Sequence, residues 1–524
     1  MTKIYPKLLL SLQIIFLALV VIIVLASANP LFQTPNRDSG IFMYIGNQIL
    51  KGKLLYVDVW DNKGPLIFYI NALELWIGRG SLWGVWGIQF VFLFFAAFLG
   101  FKLMEKLWGM VAAIFGTLMW FLAFSFVIRG GDFTEEYSLL FGLIALYAFW
   151  LHIQQHQHRR YPIIIGITLA LSFLFRANNI GIQLAIIIVI AFSGVLDRKY
   201  KQSLGYLLWI GLGTLSILLL VSLYFLAMGT LGKMVQAAVI YNFFYSQGGS
   251  SLTKLAGSFV RGINLFGYPT LLPALLGFIV MLVKLPEAIR SKENPFKYIE
   301  LLFLIGLPLE ILLSGLSGNN FPHYYICWTP YIGFFSGHIL NTDERSNKNS
   351  LQIVLGTILL ISSFNLGTLV QYRTAFTKIL FDRKGGIELV DPVAKYVREH
   401  TSPSDTVLVW GFQPYINVLA HRDSPTGMMS YPQFANSPIT NELNSRFYED
   451  LVKNKPALVV DMVNPNNDTI PFIDPAQRES QYPRLKSFDA PSNLDQVFNF
   501  IHSNYSVVTT INGTTIYQLN QTIP

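Results

Sequence analysis

PLFQTPNRDSGIFMYIGNQILKGKLLYVDVWDNKGPLIFYINALELWIGR, residues 30–79, packs carboxylates, lysines and amphipathic stretches between the first two apolar runs long enough to cross a membrane. Connections between neighbouring elements have a median of ~4–6 residues, and long ones usually carry function. A segment of this size between two spans therefore points to a site at a membrane surface. Composition agrees with that setting. The chain of 524 residues is 52% hydrophobic, 15% aromatic and 13% charged, with a mean hydropathy of +0.46, more apolar than one soluble core requires. Its net charge of +8 lies in short loops beside apolar runs, which is the orientation signal of membrane insertion and disfavours nucleic acid as a partner. The single cysteine, Cys327, excludes an intrachain disulfide, a cysteine-cluster zinc site and a CxxC redox pair, and reads as packing.

Runs able to cross ~30 Å of hydrocarbon fall near 8–28, 83–105, 109–128, 137–153, 203–228, 265–283, 298–317, 324–340 and 351–370. Tyr161–Leu196 is too long for one span and is broken by Arg176-Ala-Asn-Asn179, so it reads as two short helices meeting at a polar turn. The expected fold is mainly α, a polytopic membrane protein of about eleven transmembrane helices. Lys3, Lys7, Lys102, Lys106, Arg159, Arg160, Arg198, Lys199, Lys201, Lys284 to Lys297, Arg345 and Lys348 share one side, which the positive-inside bias makes cytoplasmic together with the N-terminus. The long loop 29–82, the Arg129–Glu136 loop, the loop 229–264, the loop Gly318–His323 and the C-terminal part then face outward. From about Phe381 the composition becomes that of a soluble domain. Val390–His400 reads as an amphipathic helix, Thr406–Gly411 and Ala457–Val463 as short strands, and Tyr505–Leu519 as a hairpin turning at Asn512-Gly513. The expected division is a transmembrane domain over 1–375 and a small extracytoplasmic α/β domain over 376–524.

Three constellations carry the chemistry. Asp38 opens a stretch with Ile41, Ile45 and Ile49 four apart, an interfacial helix starting at Asp38. Asp38 is either that helix's N-cap or a general base whose partial desolvation raises its pKa toward a working range, and both roles are compatible. Asp58-Val-Trp-Asp61-Asn-Lys63-Gly-Pro65 precedes a short apolar stretch, and Pro65 suits a first helical turn. Lys63 and free backbone N–H groups would converge there on a phosphate, although the same residues could form only a turn. In Arg129-Gly-Gly-Asp132-Phe-Thr-Glu135-Glu136-Tyr137 three acids exceed the needs of a cap. Asp132, Glu135 and Glu136 at i, i+3 and i+4 would share a face able to bind a divalent cation, magnesium or manganese, or a hydroxyl-bearing acceptor. Arg176, His323 and Tyr324, near the outer ends of the spans, join Lys63 as candidates for a phosphate site; Asp58, Asp61 and Glu310 complete the set.

The order Asp38-Ser-Gly-Ile-Phe-Met-Tyr, then Gly52-Lys-Leu-Leu-Tyr-Val-Asp58-Val-Trp-Asp61-Asn-Lys63-Gly-Pro-Leu, then Thr134-Glu-Glu-Tyr resembles the GT-C glycosyltransferases of the protein O-mannosyltransferase and lipid A aminoarabinose transferase type, including their bacterial relatives. The resemblance implies an inverting hexosyl- or pentosyltransferase that moves a sugar from a polyprenyl-phosphate-linked donor to a glycan, lipid or protein acceptor on the outer face of the cell membrane. It implies Asp38 as the first-loop catalytic acid, Lys63 beside the lipid phosphate, and Glu135 and Glu136 in the acidic second loop. Two departures stand out. Asp38 lacks the adjacent Glu of the protein mannosyltransferases, and Lys63 is followed by Gly-Pro where the aminoarabinose transferases carry a second proline. The rival reading is a transporter or flippase of lipid-linked glycans, which would place its polar groups near the midplane and often show repeated halves; a scaffold acting through the C-terminal domain is a third.

Overall fold

The computed structural model describes residues 4–154, 158–247, 252–290, 297–341, 390–429, 437–464, 470–485 and 493–520. In chain order the first fourteen helices are α1 Ile4–Val24, α2 Arg37–Leu50, α3 Pro65–Ile77, α4 Leu82–Trp108, α5 Met110–Val127, α6 Thr134–Gln154, α7 Arg160–Phe175, α8 Gly181–Leu196, α9 Tyr200–Ala227, α10 Leu231–Val235, α11 Asn242–Gln247, α12 Leu252–Arg290, α13 Lys297–Gly315 and α14 Thr329–Ile339. Among the described residues seven helices are long and apolar enough to cross a membrane: the first, over Lys7–Ala28, then α4, α5, α6, α9, α12 and α13.

Several expected spans take a different form. The run near 324–340 is a 3-10 helix, Pro322–Trp328, followed by α14. Pro322 and Pro330 lack the N–H that a continuous helix would use, and the 11 residues of α14 reach about 16 Å at ~1.5 Å each, short of a bilayer. The stretch 229–264, expected as a loop, is largely helical, with α10, a π-helical turn Gln236–Tyr241, α11 and the start of α12. α12 is interrupted at Gly267, whose φ of +70° precedes Pro269. α7 and α8 end and restart around Arg176–Ile180, as the polar break in the sequence indicates. The run 351–370 lies outside the described residues.

The chain divides into two compact units. One holds residues 1–32, 86–224 and 248–385. Its core is made by the spans, with Trp120, Phe121 and Phe124 of α5, Phe303 of α13 and Tyr331 and Phe335 of α14 withdrawn from the surface. The Trp120 indole N–H donates to Thr329 Oγ1 at 3.1 Å, satisfying both groups inside that core.

The other unit holds 33–85, 225–247 and 386–524. α2 is buried over most of its length, Ser39 to Gly46. Two glycines allow this. A Cβ on Gly46 would overlap the backbone of Asn71 and Ala72 in α3, and one on Gly40 would press on Tyr415. A four-stranded sheet, in the order β1-β2-β4-β3, joins β1 Val407–Trp410 in parallel to β2 Leu458–Asp461, with β4 Thr514–Leu519 and β3 Tyr505–Ile511 antiparallel. β1 and β2 are buried along their whole length, which explains their apolar runs, Val407 to Trp410 and Leu458 to Val460. Asn512 and Gly513 turn the hairpin with φ of +50° and +83°, the two positive values of a type I′ turn. Helix Pro392–Glu399 is capped by Asp391, which accepts from the N–H groups of Val393 and Ala394. The Trp60 N–H donates to the Gly427 carbonyl at 2.9 Å, and Asp423 accepts from Gln48 at 2.7 Å and Lys51 at 2.6 Å. Segment 33–85 is thereby hydrogen-bonded to the C-terminal residues within one unit.

Candidate active site

The N-terminus of α2 is set by Asn36, not Asp38. Asn36 has extended backbone and its side-chain oxygen accepts the Ser39 N–H at 3.0 Å, so the helix begins at Arg37. Asp38 stands in the first helical turn, half-buried, and is not the cap. Its carboxylate sits where the free N–H groups of a helix favour negative charge. Arg37 beside it stacks on the Phe412 ring, 3.6 Å from the centroid.

The second arm is the turn Asp61–Gly64. Asp61 Oδ1 accepts the Lys63 N–H at 2.9 Å in an Asx-type turn, and the Tyr56 hydroxyl donates to the Lys63 carbonyl at 2.8 Å. Pro65 occupies the first position of α3, with Gly64 as the cap, so Lys63 immediately precedes a helix start. The Lys63 ammonium donates to Asn62 Oδ1 at 3.1 Å. Burial raises the Asp61 carboxyl above the ordinary aspartate range; the Lys63 charge opposes that rise and the Asp38 charge adds to it. Asp38, Asp61 and Lys63 thus form one electrostatically linked group. Asp58 Oδ2 accepts the Leu54 N–H at 2.7 Å and closes the preceding turn.

In the other unit, Asp132, Glu135 and Glu136 are all withdrawn from solvent, at 0%, 1% and 0% exposure. They do not line a common face. Asp132 lies outside α6 with a φ of +61°, at the end of Arg129–Asp132, where all four residues have positive φ. Its N–H donates to Gln89 Oε1 at 3.1 Å and to Glu136 Oε2 at 2.9 Å, and its Oδ1 accepts the Tyr137 hydroxyl at 2.9 Å. Glu136 Oε1 is buried with no partner among the described residues. Glu135 is ion-paired with Arg176 and also accepts the Thr134 hydroxyl at 2.9 Å. The Arg176 guanidinium covers the Tyr324 ring, 3.8 Å from its centroid. His323 stacks on Phe133 at 4.3 Å, and Tyr324 meets it edge-on. Four sequence candidates, Glu135, Arg176, His323 and Tyr324, therefore form one assembly. Glu310 accepts the Ile182 N–H at the start of α8.

The expected divalent cation does not fit these residues. Each acid of the loop is turned toward a different protein donor, and no group of three His, Cys, Asp or Glu among the described residues could hold a metal ion. The sequence reading missed Asn242, Gln89 and Tyr137. Each acts through a partner distant in the chain or through the loop's backbone geometry, neither of which leaves a local signal.

Comparison with solved structures reveals the fold. ArnT from Cupriavidus metallidurans, in a crystal structure bound to undecaprenyl phosphate, superposes over 98% of this chain and 98% of its own, with 12% identity and a TM-score of 0.58. The apo structure of the same protein gives 13% identity, 97% coverage of each chain and a TM-score of 0.58. The archaeal oligosaccharyltransferase AglB from Archaeoglobus fulgidus, 13% identical, covers 97% of this chain and 74% of its own at a TM-score of 0.47. Among curated proteins none matches. With seven apolar helices of membrane-crossing length among the described residues, the chain is an integral membrane protein of GT-C-type fold. Residues 2–362 match the family described as Putative competence-induced protein Ccs4 N-terminal domain, and the chain belongs to that family.

Proposed function

We propose that this protein is a membrane glycosyltransferase that moves a sugar from a polyprenyl-phosphate-linked donor to an acceptor hydroxyl on the extracytoplasmic face. The observation that carries the reading is the grouping of Asp38, Asp61 and Lys63 at the starts of α2 and α3. The likeness in fold to a protein crystallised with undecaprenyl phosphate supports a donor of that chemistry. The lysine-rich loops support a cytoplasmic N-terminus, which puts segment 33–85 outside.

In the proposed step the acceptor oxygen attacks the anomeric carbon from the face opposite the phosphate. The bond between that carbon and the phosphate oxygen breaks, and the acceptor proton passes to the Asp38 carboxylate. The sugar is inverted and polyprenyl phosphate departs with the bonding electron pair. Lys63 stabilises the charge that develops on the phosphate, a fixed positive group at a desolvated boundary being worth far more than one in water. Asp61 holds the Lys63 turn through its backbone contact and shares its charge.

The test is sugar release from a panel of radiolabelled polyprenyl-phosphate sugars by purified wild type and Asp38→Asn, with a crude membrane extract as acceptor. Turnover of one donor by wild type, lost in Asp38→Asn with donor binding retained, supports the reading. Intact donors together with labelled lipid crossing a reconstituted bilayer would replace it with the transporter.

A further inference from the structure

Asn62 is held from a part of the chain 180 residues away. Its Nδ2 donates to Asn242 Oδ1 at 3.0 Å, and Asn242 Nδ2 donates back to the Asn62 carbonyl. The same Asn62 side chain offers its oxygen to the Lys63 ammonium at 3.1 Å. A reciprocal amide pair therefore fixes the rotation of the Asn62 amide, and the amide in turn fixes a direction for the lysine. Asn242 is anchored by a bond to the Ala238 carbonyl at 3.0 Å and directly follows the π-helical turn Gln236–Tyr241. In that turn Tyr241 meets Trp60 edge-on, with centroids 5.0 Å apart. The loop Trp60–Lys63 is gripped at two points by one short segment. Single π-turns inside helices are frequent at functional sites.

We propose that Asn242 is a positioning residue for Lys63, acting through Asn62 to pre-orient the ammonium toward a lipid-linked phosphate. This rests on the reading of Lys63 given under the proposed function. A lysine side chain carries much rotamer freedom, and each hydrogen bond that fixes it in advance lowers the cost of meeting an anion. A plain staple between two loops would hold the fold together but would not depend on the lysine.

The experiment is a double-mutant cycle on the full chain in detergent, with undecaprenyl phosphate as the probe and its dissociation constant as the readout. Asn242→Ala is expected to weaken binding roughly tenfold, Lys63→Ala to weaken it further, and Asn242→Ala to have no additional effect once Lys63 is gone. Asn62→Ala, which cuts the same relay from the other side, should reproduce the Asn242→Ala loss and serves if the latter fails to fold. Equal losses from Asn242→Ala with and without Lys63, or no loss at all, would overturn the relay while leaving Lys63 intact as a phosphate ligand. Unchanged binding in Lys63→Ala would overturn the lysine's role itself, and the relay with it.

Discussion

In Arg129–Tyr137 every carboxylate is withdrawn from solvent and turned toward a neighbour within its own unit, whereas Asp38 and Asp61 are half-buried and Asp61 lies in the field of Lys63. The residue types are the same. What separates them is backbone: four successive positive φ values fold the Arg129–Asp132 turn inward, so that the Asp132 N–H takes one oxygen of Glu136 and the Tyr137 hydroxyl one of Asp132. Asp38, by contrast, rides on a helix start whose capping is already done by Asn36. A carboxylate that must exchange a proton with an outside molecule has to be reachable. By that criterion Asp38, half-buried, suits the proposed transfer better than Asp132, Glu135 or Glu136, which are withdrawn from solvent.

The sharpest way to break this contrast is to neutralise one acid from each region. Asp38→Asn is expected to lower sugar transfer on the order of 10²–10⁴-fold, with stability falling by no more than the loss of a first-turn charge, about 0.3–1 kcal/mol. If Glu135→Gln did this and Asp38→Asn did not, the two regions would exchange roles. Arg176→Ala should act in the opposite manner, on stability. It leaves Glu135, 1% exposed, without its cation, and removing one partner of a buried pair costs about 3–5 kcal/mol. Thermal unfolding in detergent measures it, and the double variant Arg176→Met with Glu135→Gln should recover most of the loss.

Much of the architecture was legible because burial in lipid or in a sheet core leaves a compositional trace. The spans follow from apolar runs, the helix pair α7–α8 from a polar interruption, β1 and β2 from short apolar stretches, and the hairpin from Asn512-Gly513. The helix behind Lys63 follows from Pro65. Other features depend on contacts that no local pattern encodes. Asn36 and Asp38 are both good caps two residues apart, and the choice between them falls to the Ser39 N–H. Glu135 meets Arg176 across 41 residues and Asn62 meets Asn242 across 180. The shared face expected for Asp132, Glu135 and Glu136 assumed a helix through Asp132, and the glycine pair before it breaks that helix off.

A buried acid outside both regions gives the contrast a pH axis. Asp461, at the end of β2, is 3% exposed, and burial pushes its carboxyl up to about 7, although the N–H groups of Val463 and Ile473 that donate to it, and nearby Arg478, pull the other way. The folded state therefore binds a proton that the unfolded chain releases near pH 4. Its stabilisation is fully present below that pH and is lost as pH rises through about 7. The loss corresponds to at most about 4 kcal/mol. Amide exchange of residues 458–461, corrected for intrinsic rates, should show opening that grows from pH 4 to 7 and then levels off, and Asp461→Asn should flatten it. A profile rising in stability over that range would mean that the carboxylate is held charged.

The smallest expected effect bears most directly on the reading of Asp38. If Asn36 alone caps α2, Asn36→Ala should cost about 1 kcal/mol, and Asn36→Asp, which keeps an oxygen for the Ser39 N–H, close to nothing. Asp38→Ala removes a favourable charge from the first turn, a loss of about 0.3–1 kcal/mol that salt should screen. Thermal unfolding at low and high ionic strength separates the two, because a cap's hydrogen bond is insensitive to salt whereas a charge near the helix dipole is not. A salt-independent loss for Asp38→Ala as large as that for Asn36→Ala would show Asp38 working as a cap. Its helix position would then be explained by structure alone, and the case for it as the proton acceptor would have to rest on turnover.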